Sequence, residues 1–207
     1  MKSRDEFRVL LGTRNAGKTA ELRSLLSTIR KIQIHSLLEF PELNPVEETV
    51  SSYVENAIRK ARFYAVETGM WAIADDSGLE VDALGGSPGV LSARYGGEGA
   101  MDMDTIRLLL KALNEFRLSE RQARFRSIVA LAKNDGEIVH VAEGVCEGAI
   151  AFEPRGTNGF GYDPIFIPSG YDRTFAELPA REKELIGHRG KAFRLTKQFL
   201  VEYMGTA

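Results

Sequence analysis

The run Ala74-Asp75-Asp76-Ser77-Gly78 follows the apolar stretch Met70-Trp71-Ala72-Ile73. Two adjacent carboxylates at the end of a buried strand offer hard anionic oxygens. Those are the ligands Mg²⁺ takes while it also holds substrate phosphates. Glycines continue through Ala83-Leu84-Gly85-Gly86-Ser87-Pro88-Gly89, giving the backbone freedom that close approach to a ligand needs. The doublet also suits a strand followed by an Asx turn, since Asp, Ser and Gly all favour turns, so other segments must decide. Side chains alternate faces along a strand, so Asp75 and Asp76 should not both face one metal ion.

Gly12-Thr13-Arg14-Asn15-Ala16-Gly17-Lys18-Thr19 satisfies the P-loop pattern GxxxxGK[ST] in full, between a strand and a helix. Backbone N–H groups at a helix start, joined by a lysine, make a phosphate cradle. The bland alternative is a tight strand–helix turn with a surface lysine. A P-loop nucleotidase builds on several parallel strand–helix units, whereas the second half of this chain reads as antiparallel. The pattern also leaves Asn15 and the region 156–189 without a role. Within that region, Gly156-Thr157-Asn158-Gly159-Phe160-Gly161-Tyr162-Asp163-Pro164 suits a loop around a flat ligand, and Phe160 or Tyr162 can stack on a base. Lys183, His188 and Arg189 bring donors together at the start of the last helix, where they suit an anion or a carbonyl oxygen.

These residues need elements to hold them. Phe7–Leu11 reads as a strand, and Leu22, Leu25, Leu26 and Ile29 fall at helical spacing within 19–29. A second strand is predicted over 32–37, and a loop over 40–48. Val50, Val54, Ala57, Ile58, Ala61 and Ala65 stripe a helix over 49–67. A buried strand covers 70–74, and Asp102 or Asp104 can cap a helix carrying Ile106, Leu109, Leu110 and Leu113. Residues 123–131 and 137–145 flank Asn134-Asp135-Gly136 as a hairpin. A last helix runs over 191–203. The first half is therefore α/β, and the hairpin makes the sheet mixed.

The 207 residues are enough for one large domain or one domain with two lobes. With 27% charged and 43% apolar residues and a net charge of −2, the chain has a globular balance without the basic surface that extended nucleic-acid binding requires. The three histidines are scattered, and the single cysteine, Cys146, excludes an internal disulfide and a cysteine-based zinc cluster. No apolar run approaches membrane-spanning length and no signal-peptide core follows Met1, so cytoplasmic residence is expected.

Taken together, the segments resemble the inosine triphosphate pyrophosphatase family, also called dITP/XTP pyrophosphatases. Thr13-x-Asn15-x-x-Lys18 is similar to its first phosphate loop. Glu47-Glu48-Thr49 and Glu55-Asn56-Ala57 with Lys60-Ala61 are similar to its second segment. Asp75-Asp76-Ser77-Gly78-Leu79 through Gly89, then Ser92-Ala93-Arg94-Tyr95, resembles its most distinctive block. Gly159 to Pro164 and His188-Arg189 complete the set. The match spans about residues 8 to 203. Departures are few: Gly187 stands where the family more often has serine, and Ser51-Ser52-Tyr53-Val54 is a less usual lead into Glu55.

The resemblance implies a long, curved mixed sheet flanked by helices, in a single domain over 1–207 whose two lobes enclose a central substrate cleft. It implies a homodimer and hydrolysis of dITP, ITP and XTP to monophosphate and pyrophosphate with Mg²⁺. It assigns Asp76 as metal ligand and general base, and Asp75 to orienting the loop or supporting the site. Glu48 is placed first as the second ligand, with Glu47 in reserve. Thr13, Arg14, Asn15, Ala16, Gly17 and Lys18 hold phosphates, and Ser77 supports the substrate. Phe160 stacks on the base, with Gly161, Tyr162 and Asp163 in the same loop, and Lys183 contacts the ligand. His188 and Arg189 are the candidate donors to O6 of a 6-oxo purine. Adenine's amino group would leave such donors without an acceptor, a large source of discrimination. The rival expectations are a P-loop ATPase or kinase, a pyrophosphatase for altered pyrimidine nucleotides, and a nucleotide sensor without turnover.

Overall fold

The computed structural model describes residues 7–29, 32–46, 52–97 and 99–206. Among the described residues six strands form one sheet: β1 (Phe7–Leu11), β2 (Ile32–Ser36), β3 (Trp71–Val81), β4 (Gln122–Ala132), β5 (Ile138–Ile150) and β6 (Phe166–Pro168). Their order is β2-β1-β3-β4-β5-β6. β1 runs parallel to both β2 and β3, while β5 and β6 are antiparallel, so the sheet is mixed. Five α-helices among the same residues accompany it: α1 (Ala16–Leu26), α2 (Tyr53–Thr68), α3 (Asp102–Ala112), α4 (Ala180–Ile186) and α5 (His188–Thr206). The chain divides into two compact units, one of Met1–Asp76, Ile128–Glu143 and Ala192–Ala207, the other of Ser77–Ser127 and Gly144–Lys191.

In the first unit the strands are apolar on both faces, as expected where helices cover a sheet on both sides. Val9, Leu11, Ile73, Val129 and Leu131 pack with Leu22, Leu25 and Leu26 of α1 and with Ala192, Phe193 and Leu200 of α5. Leu10, Ala72, Ala74, Ile128, Ala130 and Ala132 pack instead with Ala57, Ala61, Tyr64 and Ala65 of α2. The two-residue period thus assigns the first-unit positions of β3, residues 71–76, to faces: odd numbers toward α1 and α5, even numbers toward α2. The second unit has a core on one side only. Leu79, Val81, Phe125, Ile150 and Phe166 bury themselves with Ile106, Leu109 and Leu113 of α3. On the other face of β3 and β4 the side chains are charged: Arg124 pairs with Asp82 and Glu147, and Arg126 with Glu80.

Several elements depart from the sequence expectation. β3 does not end at the carboxylate doublet but runs on to Val81, carrying Asp75, Asp76, Ser77 and Gly78 in mid-strand. Aspartate is normally depleted from strands; each of these two has an ammonium partner, described below. α1 begins three residues earlier than the apolar spacing implies, because Asn15 caps it with a side-chain oxygen that accepts from the Lys18 N–H at 2.9 Å. The cap of α3 is Met101, not Asp102 or Asp104. α5 starts at His188, so His188 and Arg189 form its first turn. The hairpin is present with longer strands, and α4 and β6 are elements the periodicity did not reveal.

Candidate active site

Two clusters of buried charge stand out, one in each unit. In the first, Asp75 and Asp76 are only 2% and 5% exposed. Their faces follow from strand parity. Asp75 shares the face of Ile73, toward α1, and its Oδ2 accepts from Lys18 Nζ at 2.7 Å. Asp76 shares the face of Ala72 and Ala74, toward α2. Its Oδ1 accepts from Lys60 Nζ at 3.1 Å and its Oδ2 from Asn56 Nδ2 at 3.0 Å. Asn56 and Lys60 lie one helical turn apart on the buried face of α2, among Ala57, Ala61 and Ala65. Both residues fall within the family-like segment of the sequence, which by itself assigns them no role. The available signal was a lysine and an asparagine at core-facing spacing within an alanine stripe.

The loop into α1 is built tightly. Gly12 N donates to Ile73 O at 2.7 Å, and a Cβ at Gly12 would sit 3.0–3.2 Å from the Tyr64 ring, Ala74 Cβ and Ile73 O. Thr13 Oγ1 accepts from Asn15 N at 3.2 Å, and Thr19 Oγ1 donates to Asn15 O at 2.9 Å. Ala16 and Gly17 are the first two residues of α1. Arg14 reaches out of the loop, and its Nη2 donates to Leu43 O at 2.5 Å and contacts Phe40 O at 3.4 Å. That guanidinium fork joins the first loop to the segment just before Glu47 and Glu48, which lie outside the described residues. Among the described residues no three His, Cys, Asp or Glu side chains converge to hold a metal ion.

The second cluster is built on the Gly159–Asp163 loop, α4 and α5. Asp163 Oδ2 accepts from the Phe160 N–H at 2.9 Å and from Lys183 Nζ at 2.6 Å. Burial pushes the Asp163 carboxyl up from its ordinary range; Lys183, the Phe160 N–H and Arg189 pull against that. Gly159 has φ +78°, and a Cβ there would collide with the Asp163 carboxylate. Over the half-buried Phe160 ring lie Lys183 Nζ, 4.9 Å from its centroid, and Arg189 Cζ, 5.1 Å away. Arg189 Nη2 also contacts Ser77 Oγ at 3.4 Å. Two expected participants are placed differently. Tyr162 is buried, its hydroxyl donates to Ser92 O at 2.9 Å, and burial raises the phenol well above its usual range. The His188 ring stacks on Phe125 with centroids 4.5 Å apart and planes at 11°.

Each cluster thus pairs anions with cations, one beside a phosphate-type loop and the other around an aromatic ring. The Ham1 family model matches residues 9–199, nearly the whole chain. The chain belongs to the Ham1 family. A dITP/XTP pyrophosphatase from Desulforamulus reducens is 47% identical over 194 residues, spanning 94% of this chain and 96% of that protein. One from Coxiella burnetii is 45% identical over 199 residues, with 93% and 98% covered. The solved structure of a HAM1 protein from Coxiella burnetii superposes with a TM-score of 0.85 at 44% identity, over 95% of this chain and 99% of that one. The Staphylococcus aureus Ham1 protein superposes with a TM-score of 0.82 at 38% identity, over 93% and 97%.

Family membership sets the P-loop pattern aside. The Lys18 ammonium contacts Asp75, and the Lys18 N–H donates to the Asn15 cap.

Proposed function

We propose that this chain hydrolyses the non-standard purine nucleoside triphosphates dITP, ITP and XTP to their monophosphates and pyrophosphate. Removing them from the nucleotide pool keeps them out of DNA and RNA. The observation that carries the reading is near-full-length similarity to dITP/XTP pyrophosphatases, at 47% identity in the Desulforamulus protein, with both buried charge clusters in place.

Phosphoryl-transfer enzymes work chiefly by positioning and charge neutralisation. Asp76 accepts the proton of the water that attacks the α-phosphorus, as the bond to pyrophosphate breaks and its electron pair leaves with that group. An ionised carboxylate has about four lone-pair sites, and Lys60 and Asn56 engage one on each oxygen. Both contacts fix its orientation. Lys18 and the Thr13–Asn15 backbone hold phosphate oxygens, and Ser77 supports the same end of the substrate.

The charge count bears on a metal. The ammonium groups of Lys18 and Lys60 are matched by the carboxylates of Asp75 and Asp76. A polyphosphate brought to these paired charges needs further positive charge, and the carboxylates offer the hard oxygens Mg²⁺ prefers. The residues fit such an ion, with Asp76 and either Glu48 or Glu47 as its holders. Bound there, Mg²⁺ supplies charge neutralisation to the phosphate oxygens.

The base is read by the second cluster. Phe160 stacks on the purine, Arg189 donates to O6 beside His188, and Lys183 contacts the ligand from the far side of Asp163. The two units act as lobes of one pyrophosphatase domain. The chain works as a homodimer in the cytoplasm, in keeping with the family resemblance, a net charge of −2 and a single cysteine. The test is product analysis with Mg²⁺ and separate dITP, ITP, XTP, ATP and GTP. Monophosphate plus pyrophosphate from the 6-oxo purines, with ATP almost untouched, is expected. Diphosphate plus orthophosphate with ATP preferred would overturn the reading.

A further inference from the structure

We propose that Asp102 is a positioning residue for base recognition, holding the Phe160–Gly161 backbone so that the Phe160 ring stands where the purine is read. The inference rests on the proposed role of Phe160 in stacking. Asp102 is the first residue of α3 and does not cap its own helix. Its Oδ2 instead accepts from the Gly161 N–H at 2.6 Å, across 59 residues of chain. Gly161 sits at φ +60°, between the stacking ring and the buried Tyr162.

The loop is therefore tied at three successive residues. Phe160 N donates to Asp163, Gly161 N to Asp102, and the Tyr162 hydroxyl to Ser92 O. The first tie lies inside the loop and the third is in the core. The Asp102 tie links the ring-bearing backbone directly to α3, beside the route through Asp163 and Lys183 to α4. A backbone amide donating to an ionised oxygen makes one of the stronger hydrogen bonds, and its angular preference carries positional information.

That helix is itself fixed. Ile106, Leu109 and Leu113 are fully buried in the second unit's core. At its far end, Arg121 is buried, and its guanidinium donates to Leu113 O at 2.7 Å, Phe116 O at 3.1 Å and Ala151 O at 2.9 Å. One of these acceptors, Leu113 O, belongs to the C-cap of α3, so the clamp ties that helix end to its neighbours. Asp104, in the same first turn, pairs with Arg107 at 3.1 Å and does not duplicate the tie. Asp102 is exposed, so its bond to Gly161 adds little to the core. Its effect is on where the loop stands.

The test uses the full chain with Asp102→Ala and Asp102→Asn. Steady-state kinetics with dITP and dATP are joined to amide exchange at Gly161 followed by NMR. Asp102→Ala is expected to raise KM for dITP about five- to tenfold, with kcat within about twofold. Gly161 exchange should speed up at least about tenfold, with a melting temperature close to that of the wild type. Asp102→Asn keeps an acceptor oxygen and should recover most of both effects. Unchanged KM in Asp102→Ala, even with faster exchange, overturns the proposal, as does equal loss of kcat in both variants. If the wild-type chain fails to prefer dITP over dATP, the functional reading fails instead, while exchange at Gly161 still tests the tie.

Discussion

Replacing Lys60 by methionine keeps most of the side-chain volume and removes the ammonium group from Asp76. Both side chains are nearly buried, at 10% and 7% exposure, and their charged atoms are 3.1 Å apart. At an effective dielectric constant of about 20, that separation corresponds to a gross attraction of about 5 kcal/mol. Desolvation offsets much of it in the intact pair, but truncating one partner leaves the other charge buried, which costs about 3–5 kcal/mol. For a chain of this size that is a fall in melting temperature on the order of 10 °C. Asp76→Asn removes the stranded charge, so Lys60→Met in that background should cost about 1 kcal/mol. The double-mutant cycle should then give a coupling of at least about 2 kcal/mol. Urea titration followed by the fluorescence of Trp71 reports on the right unit. Trp71 is the only tryptophan, and it packs 4.8 Å from Phe7 and 4.9 Å from Tyr203 in ring centroids. Equal costs of Lys60→Met in both backgrounds would refute the reasoning. Asp76→Asn alone should fold and lose most turnover; rates like those of the wild type would remove Asp76 from the chemistry.

Arg189→Ala should reduce the ratio of kcat/KM for dITP over dATP by about tenfold or more while changing melting temperature little, and an unchanged ratio would move base reading elsewhere. Gly159→Ala forces a Cβ onto the Asp163 carboxylate at φ +78°. It should cost about 1–3 kcal/mol and weaken dITP turnover, as measured by thermal melting and kcat/KM. Burial pushes the Cys146 thiol up to about 11. Because the thiolate is the reactive form, its reaction with a disulfide reagent at pH 8 should be about a hundredfold or more slower in the folded chain than in urea. Equal rates would mean that Cys146 is accessible in the folded chain.

Much of the site was legible in the sequence because its signals are local. The Asp75–Asp76 doublet, the Gly12–Lys18 loop and the Gly159–Asp163 loop each carry their chemistry within a few residues. Strand parity implies that the two carboxylates do not face one metal ion together, and the structure turns them to Lys18 and Lys60. What escaped was non-local. Asn56 and Lys60 gain meaning only when α2 lies against the even face of β3. Tyr162 has the look of a stacking residue, yet its hydroxyl finds Ser92 O across 70 residues of sequence. His188 reads as a polar donor and packs as an aromatic on Phe125. β3 was cut short because aspartate and glycine are turn formers by propensity, and buried ion pairing outweighs that preference.

The core beneath Lys18 and Asp75 joins Val9 and Leu11 to Phe193 and Leu200. A ribosome adds about 5–20 residues per second, so these ends of the core emerge about 10–40 seconds apart. Until α5 arrives, the odd-numbered face of the sheet, with Val9, Leu11, Ile73, Val129 and Leu131, has only α1 to cover it. The nascent polypeptide is in that interval a client for chaperones rather than an enzyme. Its phosphate-side cluster acquires a complete support only as translation nears the last helix.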